Sequence, residues 1–177
     1  ANGVRKIRLT GGEPLLRRGL PELVARLKSV PGIDDLALTT NGSLLAPQAQ
    51  ALKDAGLDRL TVSVDALDPA LFRRMSGGRG ELARVLDGID AASRAGFPPV
   101  KINCVVQRGV NEDQMLPLIE AFAPRGHVVR FIEFMDVGSC NGWCAQDVFG
   151  VREMHALVET RHRLTPRARW PRPRSRI

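Results

Sequence analysis

The stretch "KIRLTGGEPLLR", residues 6–17, decides how the fold is read. A strand-like run stops on two glycines, a glutamate and a proline, and a helical pattern begins directly after it. In a βα unit, that junction is where ligands are held, outside the carboxyl end of the strand. Glycines there let a ligand approach the backbone, and proline fixes the turn.

The same alternation continues along the chain. Strand-like runs are expected at 4–10, 35–40, 59–64, 99–106 and 128–135. Helical spacing falls between them, at 20–30, at 44–55, in two pieces over 69–95, and on the face of Met115, Leu118, Ile119 and Phe122. A last amphipathic run covers 151–159. Strands separated by helical crossovers imply a parallel α/β sheet with right-handed connections. Periodicity leaves two architectures open: an open doubly wound sheet or part of a (β/α) barrel.

Strands covered on both faces read as continuous apolar runs. These do not. Arg8 and Thr10, then Thr61, Ser63 and Asp65, then Lys101 and Asn103, then Glu133 and Met135 are expected on one face. Ile7 and Leu9, Val62 and Val64, Ile102 and Cys104, and Ile132 and Phe134 are expected on the other. Unpartnered buried charge is costly, so the polar face reads as the lining of a cavity for a polar ligand. A salt bridge between Lys101 and Glu133 is the structural alternative, and a Schiff-base lysine at 101 is a catalytic one. The segments "GGEP", "TTNG", "SVDA" and "FMD" all follow strands and place this cavity at one sheet edge.

The net charge of +7 does not describe the whole chain. Residues 161–177 hold seven arginines and no acid, and the rest balances at nineteen basic against nineteen acidic residues. The excess belongs to an Arg- and Pro-rich tail that cannot build a core and is expected to be disordered, so no nucleic-acid partner is expected. No apolar run approaches about 18 residues, so no membrane partner is expected either. The opening residues do not read as a signal peptide, and the odd cysteine count argues against a disulfide scaffold. A reducing cytoplasm is the expected compartment.

"RLTGGEPLLR", "LTTNG" at 38–42, "VSVDA" at 62–66, "VKINCVVQRGVNEDQ" at 100–114 and "RFIEFMDVG" at 130–138 occur in an order and spacing that resemble the GTP 3′,8-cyclase family of radical S-adenosylmethionine (SAM) enzymes. The resemblance covers roughly residues 4–158. It implies a partial (β/α) barrel over residues 1–160, lacking its first strand unit and its C-terminal cluster region, followed by the tail. It implies SAM and [4Fe–4S] clusters as cofactors and GTP as substrate, rearranged by a SAM-derived radical early in molybdenum cofactor biosynthesis. Gly11, Gly12, Glu13, Pro14, Ser63 and Met135 are then expected to hold SAM, with Glu13 suited to receive an ammonium group. Arg8, Thr39 and Lys101 are expected to contact GTP. A homodimer is a further expectation.

The chain departs from the family pattern at both ends. A C-x3-C-x2-C motif should precede "GGEP", yet Ala1 stands only seven residues before Arg8. The run Cys140-x3-Cys144-x2-Asp147 imitates that motif in the wrong loop, with a carboxylate for the third thiol. No cysteines follow Glu159 for the second cluster, and Arg167-Ala168-Arg169 is not taken as the family's substrate-binding Arg-x-Arg. The chain is therefore expected to be inactive alone, as a fragment or the product of a shifted or premature coding end. A short, non-catalytic nucleotide-binding paralogue and another radical SAM maturase are the alternatives. His127, His155 and His162 show no metal spacing.

Overall fold

A computed structural model describes residues 3–78, 80–136 and 143–166. Five strands alternate with six helices. They are β1 (Lys6–Leu9), α1 (Leu20–Lys28), β2 (Asp35–Thr40), α2 (Ala49–Asp54), β3 (Arg59–Ser63), α3 (Pro69–Met75), α4 (Leu82–Arg94), β4 (Lys101–Val106), α5 (Met115–Phe122), β5 (Val128–Glu133) and α6 (Val151–Glu159). Every expected strand and helix is present. The main shortfall is at α2, where turns through Leu45 and Gln48 replace the first part of the expected helix. Cys140 and residues 167–177, including Arg167, Ala168 and Arg169, lie outside the described residues.

The sheet settles the architecture. Its strand order is β1-β2-β3-β4-β5, and all four pairings are parallel. A doubly wound sheet reverses its order at a switch point. This one advances by a single strand in one direction, as a barrel wall does. Right-handed crossovers then stack the helices on one face only. That face carries Leu36, Leu38, Leu60, Val62, Val64, Ile102, Cys104 and Val106, which join Val24, Leu52, Val85, Ile89, Leu118 and Phe122 from the helices in one core. The chain is a segment of (β/α) barrel, with its helices outside and its other sheet face turned inward.

The register corrects the expectation for β5. Asn103 pairs with Arg130 and Val106 with Glu133, so Arg130 shares the inner face and Glu133 does not. Residues three apart in a strand must point to opposite sides. Arg130 and Glu133 therefore could not both face inward, and the sequence reading chose the wrong one. Glu133 instead accepts a hydrogen bond from the Val151 amide at 2.6 Å, at the start of α6, where a carboxylate is favoured by the helix dipole. The proposed Lys101–Glu133 salt bridge is excluded by the same geometry.

The two sheet edges are built differently. At the N-terminal edge, Asp58 accepts from Lys28 Nζ and the Leu36 amide, and His127 Nδ1 accepts from the Val100 amide, all structural contacts. At the C-terminal edge the loop after β2 is pressed against α4. A Cβ on Gly88 would stand 2.9 Å from the Gly42 carbonyl oxygen and 2.9 Å from Leu45 Cβ. Alanine normally helps a helix by about 0.5–1 kcal/mol over glycine, but forced overpacking costs about 1–3. Gly88→Ala should therefore destabilise the chain by a net ~1–2 kcal/mol in urea denaturation. An unchanged or raised midpoint contradicts this packing.

Candidate functional site

The inner face is cationic. Arg8 on β1, Arg59 on β3, Lys101 on β4 and Arg130 on β5 project from it in register with Asp35, Ala37, Thr39, Thr61 and Asn103. Arg8 Nη1 donates to Thr39 Oγ1 at 3.2 Å, joining two of the residues expected to contact GTP. Lys101 is the third. Burial holds its pKa below the usual lysine range, and the charges of Arg59, Arg130 and Arg8 push it the same way, with Asp35 opposing them. Asp35 is itself taken by Arg59 in a two-armed ion pair, and that bond holds its carboxyl below the ordinary range. Among the described residues Lys101 forms no ion pair. A cation crowded by like charge and lacking a counter-ion is a place for an anion to sit.

Ser63 ends β3 one register step further along. It pairs with Asn103, which pairs with Arg130. Asn103 Oδ1 is buried and has no hydrogen-bond partner among the described residues, so it is left for a ligand donor. Beside it, a cleft of about 200 Å³ is lined by Asn41, Ser43, Ser63, Asp65, Phe72 and Ser76. Asp65 is largely buried there. Desolvation raises the pKa of its carboxyl, although the Val105 amide donates to one oxygen at 2.8 Å.

The "GGEP" loop follows β1 at the same edge. Gly11 has φ of 137°, which a side chain rarely tolerates, and a Cβ at Gly11 or Gly12 would meet nothing within 4 Å. The loop is therefore open to a close ligand. Pro14 begins a single tight turn, Pro14–Leu16. Glu13 is engaged within the fold. Its carboxylate accepts from the Leu15 amide, from Thr40 Oγ1 at 2.6 Å and from the Asn41 amide at 2.7 Å. It ties the loop after β1 to the loop after β2. Met135 lies just past β5 at this edge and is 56% exposed, so it is not a core residue.

Sequence reading gave no ligand role to Arg59, Asn103 or Arg130. Arg59 could have been found, since it stands two residues before Thr61 and so shares its face. Arg130 was hidden by the choice of Glu133. Asn103 was placed on the inner face, but the missing partner of its oxygen is visible only once the fold is built.

Among the described residues the thiols do not assemble a cluster site. Cys104 is buried, and desolvation pushes its pKa far above the ordinary thiol range, which suits a core residue. Cys144 is exposed. Among the described residues no three metal-binding side chains converge. No helix is long and apolar enough to cross a membrane among them.

Comparison with known proteins agrees with the fold. The Radical SAM superfamily model matches residues 1–122. A protein of Xanthomonas axonopodis pv. citri named GTP 3′,8-cyclase is 66% identical over 169 residues, which is 96% of this chain and 48% of that protein. Proteins of the same name from Acidothermus cellulolyticus and Staphylococcus aureus are 54% and 46% identical over 93% of this chain, and over 45% and 48% of their own lengths. The chain thus spans about half the length of these relatives. Among solved structures, coproporphyrinogen III oxidase (HemN) from Escherichia coli, described as a radical SAM enzyme, superposes with a TM-score of 0.63 at 11% identity, covering 89% of this chain and 39% of its own. The likeness is one of fold.

Crowding at Lys101 has a testable sign. Its folded pKa lies below its unfolded value near 10.5, so the charged form costs stability at neutral pH. That cost is relieved as pH rises through the lowered value toward 10.5. Lys101→Met should therefore be at least as stable as the parent at pH 7. The advantage of the variant should shrink between the lowered pKa and 10.5 in pH-dependent urea melts. A variant clearly less stable at pH 7 would show that Lys101 is satisfied within the fold.

Proposed function

Since this chain belongs to the radical SAM superfamily, we propose that it forms the GTP- and SAM-binding wall of a GTP 3′,8-cyclase. The carrying observation is the inner face, where Arg8, Arg59, Lys101 and Arg130 meet with Asp35 as their nearby acid. Identity of 46–66% to relatives of that name supports the same reading. In this reading the triphosphate lies along the cationic face. Arg8, held by Thr39, and Lys101 contact it directly, and Arg130 completes the ring of charge. Charge-assisted bonds of this type contribute about 1.5–3 kcal/mol each. Binding an anion also offsets the burial, and with it the like charge, that depress Lys101.

SAM is placed at the adjoining edge. Gly11 and Gly12 leave space for it, Ser63 and Asn103 offer compact polar groups, and Met135 offers an apolar contact. Asn103 Oδ1 is the observation in favour, since it is buried and without a partner. Glu13 acts from behind, by fixing the loop after β1 to Thr40 and Asn41. When bound with its cluster, SAM supplies the superfamily's radical chemistry. The described residues do not fit a [4Fe–4S] cluster, so no step through one is assigned to them. Their work is to bind GTP, to orient it, and to hold SAM beside it.

Titration calorimetry tests this directly. GTP should bind the chain ahead of ATP. Arg8→Ala should weaken it about 10- to 100-fold, as expected for loss of one charge-assisted contact. Absence of GTP binding, or an Arg8→Ala variant that binds GTP as the parent does, contradicts the proposal.

A further inference from the structure

We infer that Asn111 is a positioning residue for the Ser63–Asp65 wall, acting through the backbone of the segment after β3; this rests on the reading of Ser63 as a SAM contact. The regular ladder between β3 and β4 stops at the pairing of Ser63 with Asn103 and one further bond, from the Val64 amide to the Asn103 carbonyl at 2.9 Å. Beyond that point the chain must leave the sheet while still holding Ser63 and Asp65 toward the cleft. Another element takes over from the ladder.

That element is the loop after β4. Asn111 is fully buried. Its Nδ2 donates to the Asp65 carbonyl at 2.8 Å and to the Val105 carbonyl at 2.9 Å. Its Oδ1 accepts from the Gln107 amide at 2.8 Å. Three residues on, Gln114 Oε1 accepts from the Leu67 and Asp68 amides at 3.1 and 3.2 Å. Asp65 answers in the other direction by accepting from the Val105 amide. The segment after β3 is therefore gripped at Asp65, Leu67 and Asp68 by groups from one neighbouring segment. This accounts for "NEDQ" at 111–114, which the proposed chemistry does not use.

The demand on position 111 is specific. Two carbonyls need a donor and one amide needs an acceptor, all within reach of one short planar group. Asparagine meets both needs. Aspartate keeps the acceptor but turns a second oxygen toward two carbonyls. Alanine leaves the Gln107 amide without its partner and the Asp65 and Val105 carbonyls with only the weak Cys104 thiol donor, a loss that burial makes expensive. The cationic face does not depend on this joint, because Arg8 and Arg130 stand inside their ladders and Lys101 at the far end of β4, whereas Ser63 is the last paired residue of β3 and its place follows how the chain leaves the sheet.

The test compares two ligands on the 177-residue chain. Asn111→Asp should weaken SAM at least tenfold while leaving GTP affinity within about twofold. Gln114→Ala, which frees only the Leu67 and Asp68 amides, should give a smaller loss, again confined to SAM, and serves if Asn111→Asp does not fold. Unchanged SAM affinity in the folded variants overturns the inference. Equal weakening of both ligands does too, since that marks a general loss of structure. If the parent binds GTP but not SAM, the reading of Ser63 fails instead. Hydrogen exchange then decides the inference by itself. In Asn111→Asp, with Gln114 intact, exchange at Leu67 and Asp68 should rise at least tenfold against an unchanged Val62, and equal protection in parent and variant overturns it.

Discussion

The structure depends on one constraint: five parallel strands wound in a single direction can bury only one face beneath their helices. Period-two alternation then sorts every strand residue between a dry side and an inner side. Leu38, Val62, Ile102 and Cys104 fall on the dry side and form the core. Arg8, Arg59, Lys101 and Arg130 fall on the inner side and face one another. Nothing in the dry core needs these cations. Burial of Lys101, and after it the charges of Arg59, Arg130 and Arg8, hold its pKa down, so the charged lysine works against stability. A fold that tolerates such repulsion gains from a ligand that relieves it.

Two kinds of side chain surround the proposed ligands. Some face the inner space, such as Lys101 and Asn103. Others hold loops together. Glu13 joins the loop after β1 to the loop after β2, and Asn111 joins the segment after β3 to the loop after β4. Both use buried or half-buried polar groups that bond to backbone amides, carbonyls and one hydroxyl. Gly88 adds a steric version of the same task by letting α4 close on the Gly42 carbonyl. Loops outside a parallel sheet have no ladder to hold them, so such contacts set where the ligand-bearing groups stand.

Much of this was legible in the sequence because strand and helix periods are local. The five strands, the helices between them and the inward phase of Arg8, Ser63 and Lys101 follow from alternation alone. The phase of β5 did not. In "VVRFIEFM" the two charged residues stand three apart, and only pairing with β4 decides which one faces inward. Strand order was likewise invisible, since alternation is the same in a barrel and in a doubly wound sheet. Glu13 was read as a ligand group from its type and place. Two of its partners within the fold lie 27 and 28 residues away, a distance that no local pattern encodes.

The central claim is that an anion supplies the charge that the inner face lacks. Proton linkage measures this most directly. Calorimetry of GTP binding across the alkaline range below the ordinary lysine value, in buffers of different ionisation enthalpy, counts the protons taken up on binding. Relief of the depressed Lys101 predicts more uptake by the parent than by Lys101→Met, the guanine base contributing equally to both. Equal uptake by parent and variant at every pH would contradict the account.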